Sequence, residues 1–351
     1  MVAPLSSPPE WFTPLLNHLL HQRDLSAAQM TQLLEGFLGD ELNDTDRAAA
    51  LIALRLKGET GDELAAAARV IRSRARSFDP GVPGVLDTCG TGGDGLHTFN
   101  ISTTTAFVVA ALGVPVVKHG NRAVSSSSGS ADVLAQLGLA ATLDPLQSLR
   151  RANLAFCLAP LYHPAVGAKL GPVRRRLGVA TLFNALGPLC HPTAAPYQLL
   201  GVGRRQWLEP MAQALAQLGV KRAALLHAED GLDEVSLGAA TSVCWVEGTR
   251  VTPVRWTPEA FGLPRVPVEQ LRVRDAAHSA EVLRGVLAGK AGPPRDIVLA
   301  NAAAALWVAG RVAFLTEGVQ QAAQAIDSGA AAAGLHALIE LSKQEAPADA
   351  G

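Results

Sequence analysis

The sequence predicts an α/β protein, with a small N-terminal helical domain followed by a large α/β domain built on a mostly parallel central sheet. Three observations lead there. Residues 1–80 place apolar side chains at helical spacing, residues 78–84 (FDPGVPG) form a Pro/Gly break, and beyond the break short β-branched runs alternate with longer helical ones.

Met30, Leu33, Leu34, Phe37 and Leu38 fall on one helix face. A second helix starts at Asn43 or Asp44 and ends at Gly58, and a third opens on the capping-box pattern Thr60 to Glu63 and buries Leu64, Ala67, Ala68 and Ile71. The break then gives the boundary between residues 1–80 and 81–345. Strands are expected at 114–117, 198–202 and 223–226, with a helix near 208–218 and Ala-rich helices covering 300–309 and 320–333. The polar tail 346–351 is expected to fray. Ligands of such sheets bind beyond the carboxyl ends of strands, so those ends are where chemistry is sought.

Residues 86–103, LDTCGTGGDGLHTFNIST, carry the strongest functional signal. Val85 and Leu86 lead into Gly90, Gly92, Gly93 and Gly95, and a helix start follows with Asn100, Ser102, Thr103, Thr104 and Thr105. Glycines permit positive φ and close backbone approach, so successive N–H groups can converge on phosphate oxygens in front of a helix N-terminus. A second segment, VVKHGNRAVSSSSGSAD at 116–132, ends a strand on Lys118, His119, Asn121 and Arg122 and opens into a Ser/Gly loop. Cations and hydroxyls together replace the hydration of a polyanion. Two such loops in tandem, with a carboxylate at Asp94, point to a ligand with more than one phosphate.

The common nucleotide motifs do not account for these loops. Gly90, Gly92 and Gly95 satisfy G-x-G-x-x-G in form, but the ribose-binding acid expected about 20 residues later falls in an apolar stretch around Val109 to Leu112. A third constellation, EDGLDEVS at 229–236, follows the strand-like AALLH. Its adjacent acids Asp233 and Glu234 suit Mg²⁺, which binds through one or two protein carboxylates and keeps water and substrate phosphates as its other ligands.

Bulk properties narrow the classes further. Thirty Lys and Arg against 31 Asp and Glu leave a net charge of −1, so no broad basic field exists to hold nucleic acid, and phosphate recognition has to be local. Cys89, Cys157, Cys190 and Cys244 are far apart and show no C-x-x-C spacing, which argues against a zinc site or a disulfide framework. The first residues lack a basic, apolar leader, and runs such as 105–117 are too short to span a bilayer. These features lead us to expect a soluble, cytoplasmic protein with no membrane partner.

CGTGGDG-x-x-TFNIST, KHGNR with its serine loop, HPA at 163–165, FNALGPL at 183–189 and DGLDE at 230–234 resemble the anthranilate phosphoribosyltransferase family of tryptophan biosynthesis. The likeness runs in order from LRLKGET at 54–60 to DIVLANAAAAL at 296–306. It implies a fold of the nucleoside phosphorylase/phosphoribosyltransferase type, helices from about 160–190 joining the small domain, and a homodimer contact on that domain. The implied reaction is displacement of pyrophosphate from phosphoribosyl pyrophosphate by the amine of anthranilate, with two Mg²⁺ per subunit.

By the same resemblance, Gly90, Gly93, Asp94, Thr98, Asn100, Ile101, Ser102, Thr103, Lys118, His119, Gly120, Asn121, Arg122, Ala123, Val124, Ser125, Ser126 and Ser130 would hold phosphoribosyl pyrophosphate. Ser102, Asp233 and Glu234 would serve the metal ions, and Gly90, Asn121, His163, Arg174 and Pro188 would contact anthranilate. Arg175 and Arg176 adjoin Arg174, so spacing alone does not choose among the three. The chain departs from the family at Ser127, where Lys is usual, at Ala180, where Arg is usual, and at Cys190 and His191, where Thr-Asn is usual. Two other readings stay open on sequence, a pyrimidine nucleoside phosphorylase and a noncatalytic nucleic-acid-binding paralogue of the same fold.

Overall fold

A computed structural model describes residues 7–121 and 129–345. The sequence-assigned Arg122, Ala123, Val124, Ser125 and Ser126, and the tail 346–351, lie outside the described residues.

Four helices open the chain: α1 (Phe12–Leu20), α2 (Ala27–Leu38), α3 (Asp44–Lys57) and α4 (Gly61–Ser73). Ser26, Asn43 and Thr60 cap the last three, each in a reciprocal box with the residue three positions on, which satisfies two orphan N–H groups at each start. Met30, Leu33, Leu34 and Phe37 are fully buried, as their spacing requires. Glu63 does more than close its box, because it also accepts from Leu25 N at 2.8 Å and Lys57 Nζ at 2.9 Å, pinning the α1–α2 connection to the α3–α4 corner.

The α/β part then runs β1 (Leu86–Asp87), α5 (Ile101–Ala111), β2 (Val116–Gly120), α6 (Ser130–Gln136), α7 (Pro145–Ala152), β3 (Leu154–Leu158), α8 (Ala159–Tyr162), α9 (Pro164–Leu177), α10 (Leu182–Leu189), β4 (Tyr197–Gly201), α11 (Leu208–Gln217), β5 (Arg222–Ala228), β6 (Thr241–Glu247), β7 (Arg250–Trp256), α12 (Ala276–Leu287), α13 (Pro293–Val308), α14 (Leu315–Asp327) and α15 (Ala330–Glu345). One sheet has the order β3-β2-β1-β4-β5-β6-β7. Its first five strands are parallel, and β6 and β7 are antiparallel additions on one side.

The sequence reading did not foresee that antiparallel arm. Glu247 pairs with Arg250 across a two-residue turn whose first residue, Gly248, has φ 59°, so a hairpin forms where no crossover helix is available. The Ala-rich 320–333 stretch is likewise interrupted, since α14 ends at Asp327 and Gly329 takes φ 77° before α15 begins.

Helices α5 and α13 pack on the sheet, and α15 packs on α5, in the larger core with Phe107, Leu226, Val298 and Leu338. A second core joins Leu33, Phe37 and Leu51 of the first helices to Leu170, Val173, Leu182, Phe183 and Leu186 of α9 and α10. No helix among the described residues is long and apolar enough to cross a membrane.

Candidate active site

The carboxyl ends of β1, β2, β4 and β5 open into one cleft of about 240 Å³. On leaving β1 the chain enters the glycine run, where Gly92, Gly93 and Gly95 take φ values of 61°, 81° and 73° that side chains rarely tolerate. The loop is held against the end of β4. Thr91 N donates to Gly201 O at 2.8 Å, and Gly203 N donates to Thr91 Oγ1 at 2.9 Å. Backbones meet so closely there that a Cβ on Gly201 would lie 1.7 Å from Asp233 O, and one on Gly203 would lie 2.5 Å from Gly92 O.

Helix α5 begins directly after this loop with Asn100 as its N-cap, and Asn100 N is satisfied by Ser279 Oγ at 3.0 Å from the first turn of α12. The N-terminal turn of α5 borders the cleft through Asn100, Ile101 and Ser102, and the positive end of a helix dipole favours an anion there. From β2, the buried Lys118 donates to Thr88 O at 2.8 Å and Ser102 Oγ at 3.2 Å.

Asp233 and Glu234 follow β5 and stand against the glycine loop and the start of α5, where a Cβ on Gly90 would lie 3.3 Å from Asp233 Oδ2, and Asn301 of α13 supports them by accepting from Val235 N at 2.9 Å and donating to Val235 O at 3.1 Å. Burial, with the nearby Asp94 and Glu234 charges, pushes the Asp233 carboxyl well above the usual carboxylate range. Burial also raises Glu234 to about 7, against the pull of Lys118 and the Ser102 hydroxyl. Carboxyls held up in this way lack enough positive charge to offset their burial. Among the described residues no three or more His, Cys, Asp or Glu side chains form a closed metal cage. An acid pair open to a cleft instead fits a hard cation that completes its shell with phosphate oxygens and water. Their neighbours Asp230 and Glu229 are engaged elsewhere, Asp230 with Ser236 Oγ at 2.6 Å and Glu229 with Arg255 at 2.8 Å.

Of the sequence-assigned residues, Gly90, Gly93, Asp94, Thr98, Asn100, Ile101, Ser102, Lys118, His119, Gly120, Asn121, Ser130, Arg174, Pro188, Asp233 and Glu234 line this one cleft. Thr103 does not, being fully buried in the first turn of α5 with its hydroxyl donating to Asn100 Oδ1 at 2.8 Å. His163 lines an adjoining cavity of about 130 Å³, mostly apolar, walled by Ile71, Val166, Phe183 and Leu186 and shared with the cleft at His119, Asn121 and Arg174. Neither ring nitrogen of His163 has a hydrogen-bond partner, and burial lowers its pKa, which favours the neutral imidazole. Arg174 lies 5.7 Å over the Phe183 ring at the junction of the two spaces, whereas Arg175 and Arg176 are exposed.

Several contributors had not been singled out from sequence. Thr91, His97 and Asn184 also line the cleft, and Gly201, Gly203, Ser279 and Asn301 shape it from behind. A glycine pair closing a strand end was the legible signal for Gly201 and Gly203. At the departure from the family pattern, His191 is buried, its Nε2 donating to Val117 O at 2.7 Å and its Nδ1 accepting from Thr193 N at 3.2 Å.

Two family models match the chain, a glycosyl transferase family helical bundle domain over residues 13–75 and a glycosyl transferase family a/b domain over residues 82–332. The anthranilate phosphoribosyltransferase of Thioalkalivibrio sulfidiphilus is 47% identical over 319 residues, covering 90% of this chain and 94% of the relative. Among solved structures, the anthranilate phosphoribosyltransferase of Thermus thermophilus superposes with a TM-score of 0.86 at 37% identity, covering 94% of this chain and 99% of that one. The Saccharomyces cerevisiae enzyme in complex with PRPP and Mg gives 0.85 at 27% identity, covering 96% and 99%. With the glycine loop, the acid pair and the two-domain plan all in place along nearly its whole length, the chain belongs to the anthranilate phosphoribosyltransferase family.

Proposed function

We propose that the cleft transfers the phosphoribosyl group of phosphoribosyl pyrophosphate to the amine of anthranilate and releases pyrophosphate. The observation that carries this reading is the convergence of a glycine cradle, a helix N-terminus, a buried lysine and an acid pair on a cleft that adjoins an apolar slot gated by Arg174. The first set suits a polyphosphate with its cation, and the slot with its arginine suits a flat aromatic acid.

Departure of pyrophosphate leaves an oxocarbenium-like sugar, and an aromatic amine is already a neutral nucleophile. Catalysis in this cleft is therefore mainly charge neutralisation and positioning. The α5 N-terminus and the glycine loop hold the phosphates in place, and Lys118 adds fixed positive charge behind them. Ser102, Asp233 and Glu234 would hold Mg²⁺, two ions per subunit, which would offset the charge of the leaving group. Arg174 orients the aromatic acid by its carboxylate, with Asn121, His163, Gly90 and Pro188 around it. In this reading α9 and α10 belong with residues 1–80 in the small domain, which carries a homodimer contact, and the enzyme works in the cytoplasm.

The direct test follows anthranilate fluorescence. Its decay should require both phosphoribosyl pyrophosphate and Mg²⁺, and a signal indifferent to either would refute the assignment. A finer test concerns the aromatic end. Loss of one charge-assisted contact should make Arg174→Ala raise KM for anthranilate about tenfold to a hundredfold, with KM for phosphoribosyl pyrophosphate nearly unchanged. Arg176→Ala, at an exposed position, should leave both alone. A larger anthranilate defect at Arg175 or Arg176 would move the carboxylate site away from Arg174.

A further inference from the structure

We infer that Asp87 is a positioning residue whose carboxylate fixes the spacing between the two phosphate loops. The inference deepens the proposed function and takes the identity of the ligand from it. Strand β1 has only two residues, and a single register pair, Leu86 with Val116, joins it to β2. The backbone ladder thus stops before either loop begins. Beyond that point Asp87 Oδ1 takes over, accepting from Cys89 N at 3.1 Å and from His119 N at 3.0 Å. Cys89 opens the glycine run and His119 lies in the KHGN segment, so one oxygen atom ties the first loop to the second. Lys118, bonded to Thr88 O, is a parallel strut.

Asp87 is fully buried, which shields both bonds from competing water. Its other oxygen, Oδ2, has no hydrogen-bond partner and stands 3.9 Å from His191 Nε2, whose proton is committed to Val117 O. The two oxygens therefore separate the role cleanly. Asp87→Asn can keep its carbonyl oxygen on both N–H groups while its NH₂ replaces an atom that bonds to nothing. Asp87→Ala removes the tie.

Phosphoribosyl pyrophosphate binding by calorimetry with Mg²⁺, together with KM for each substrate, tests this. Asp87→Asn should stay within about threefold of wild type, and Asp87→Ala should weaken phosphoribosyl pyrophosphate about tenfold to a hundredfold while KM for anthranilate moves less than about twofold. Wild-type affinity in Asp87→Ala, an equal loss in Asp87→Asn, or a parallel rise of both KM values would each overturn the role. If the alanine variant does not fold, Asp87→Ser, whose hydroxyl is too short to reach both N–H groups, carries the same expectation. Unfolding of both, beside a competent Asp87→Asn, would make Asp87 a structural residue only. Wild-type protein that takes up no phosphoribosyl pyrophosphate would instead refute the proposed function, and inorganic pyrophosphate with Mg²⁺ would then read the two loops in its place.

Discussion

Replacing Asp233 by Asn and Glu234 by Gln together should lower kcat by about a hundredfold or more, because each lost charge contact to a developing leaving group is worth roughly 3 kcal/mol. The same change should make the metal-free protein more stable. Both carboxyls sit higher on the pH scale in the fold than in the unfolded chain, Asp233 through burial and its acidic neighbours and Glu234 through burial. Below the ordinary Glu value of 4.5 both states hold the proton, and the group is neutral in its effect on folding. As pH rises toward about 7 the unfolded chain releases its proton first, and above about 7 the fold carries the full penalty of a buried charge. The amide variant should therefore melt a few degrees above wild type at pH 8 without metal, and the gain should shrink toward pH 5. Turnover with Mg²⁺, and thermal midpoints across pH in chelator, check the two halves. A folded variant with wild-type turnover would remove the metal role from this pair.

Gly201→Ala should be nearly as damaging, although Gly201 is at the back of the site. The new Cβ would lie 1.7 Å from the carbonyl oxygen and 2.9 Å from the carbonyl carbon of Asp233, and both atoms are backbone, so no flexible side chain can swing aside. Either β4 parts from the glycine loop it holds through Thr91, or Asp233 moves by about an ångström. Overpacking of this kind costs about 1–3 kcal/mol of stability, and a displacement of about 1 Å at a reacting centre lowers rate about a hundredfold. Thermal denaturation and kcat at saturating Mg²⁺ separate the two effects. Wild-type values for both would mean that the acids tolerate slack.

The helical start of the chain was legible because its signals are local. Ser26, Asn43 and Thr60 each cap through a residue three positions away, and Met30, Leu33, Leu34 and Phe37 declare their face by spacing. The glycine loop and the acid pair were legible for the same reason, as each is a short run whose chemistry is contained in itself. Long-range partners were not. Ser279 reaches Asn100 across 179 positions and Asn301 reaches Val235 across 66, and neither residue type announces such a partner in sequence. The choice among Arg174, Arg175 and Arg176 was equally closed to spacing, because it depends on which face α9 turns toward Phe183. The β6–β7 arm escaped because β7 carries exposed residues and a proline, Pro253, which dilute the apolar pattern.

The acid pair and the glycine loop adjoin within one cleft, and the acids lack the positive charge that a cation would bring. Two ligands of opposite sign that fill such adjoining half-sites help each other by the same factor, whichever arrives first, because the free energy of the doubly occupied state is independent of path. Mg²⁺ should thus sharpen the affinity for the polyphosphate by the same factor as the polyphosphate sharpens the affinity for Mg²⁺, and closing that thermodynamic cycle by titration in both orders measures how strongly the two adjoining half-sites communicate.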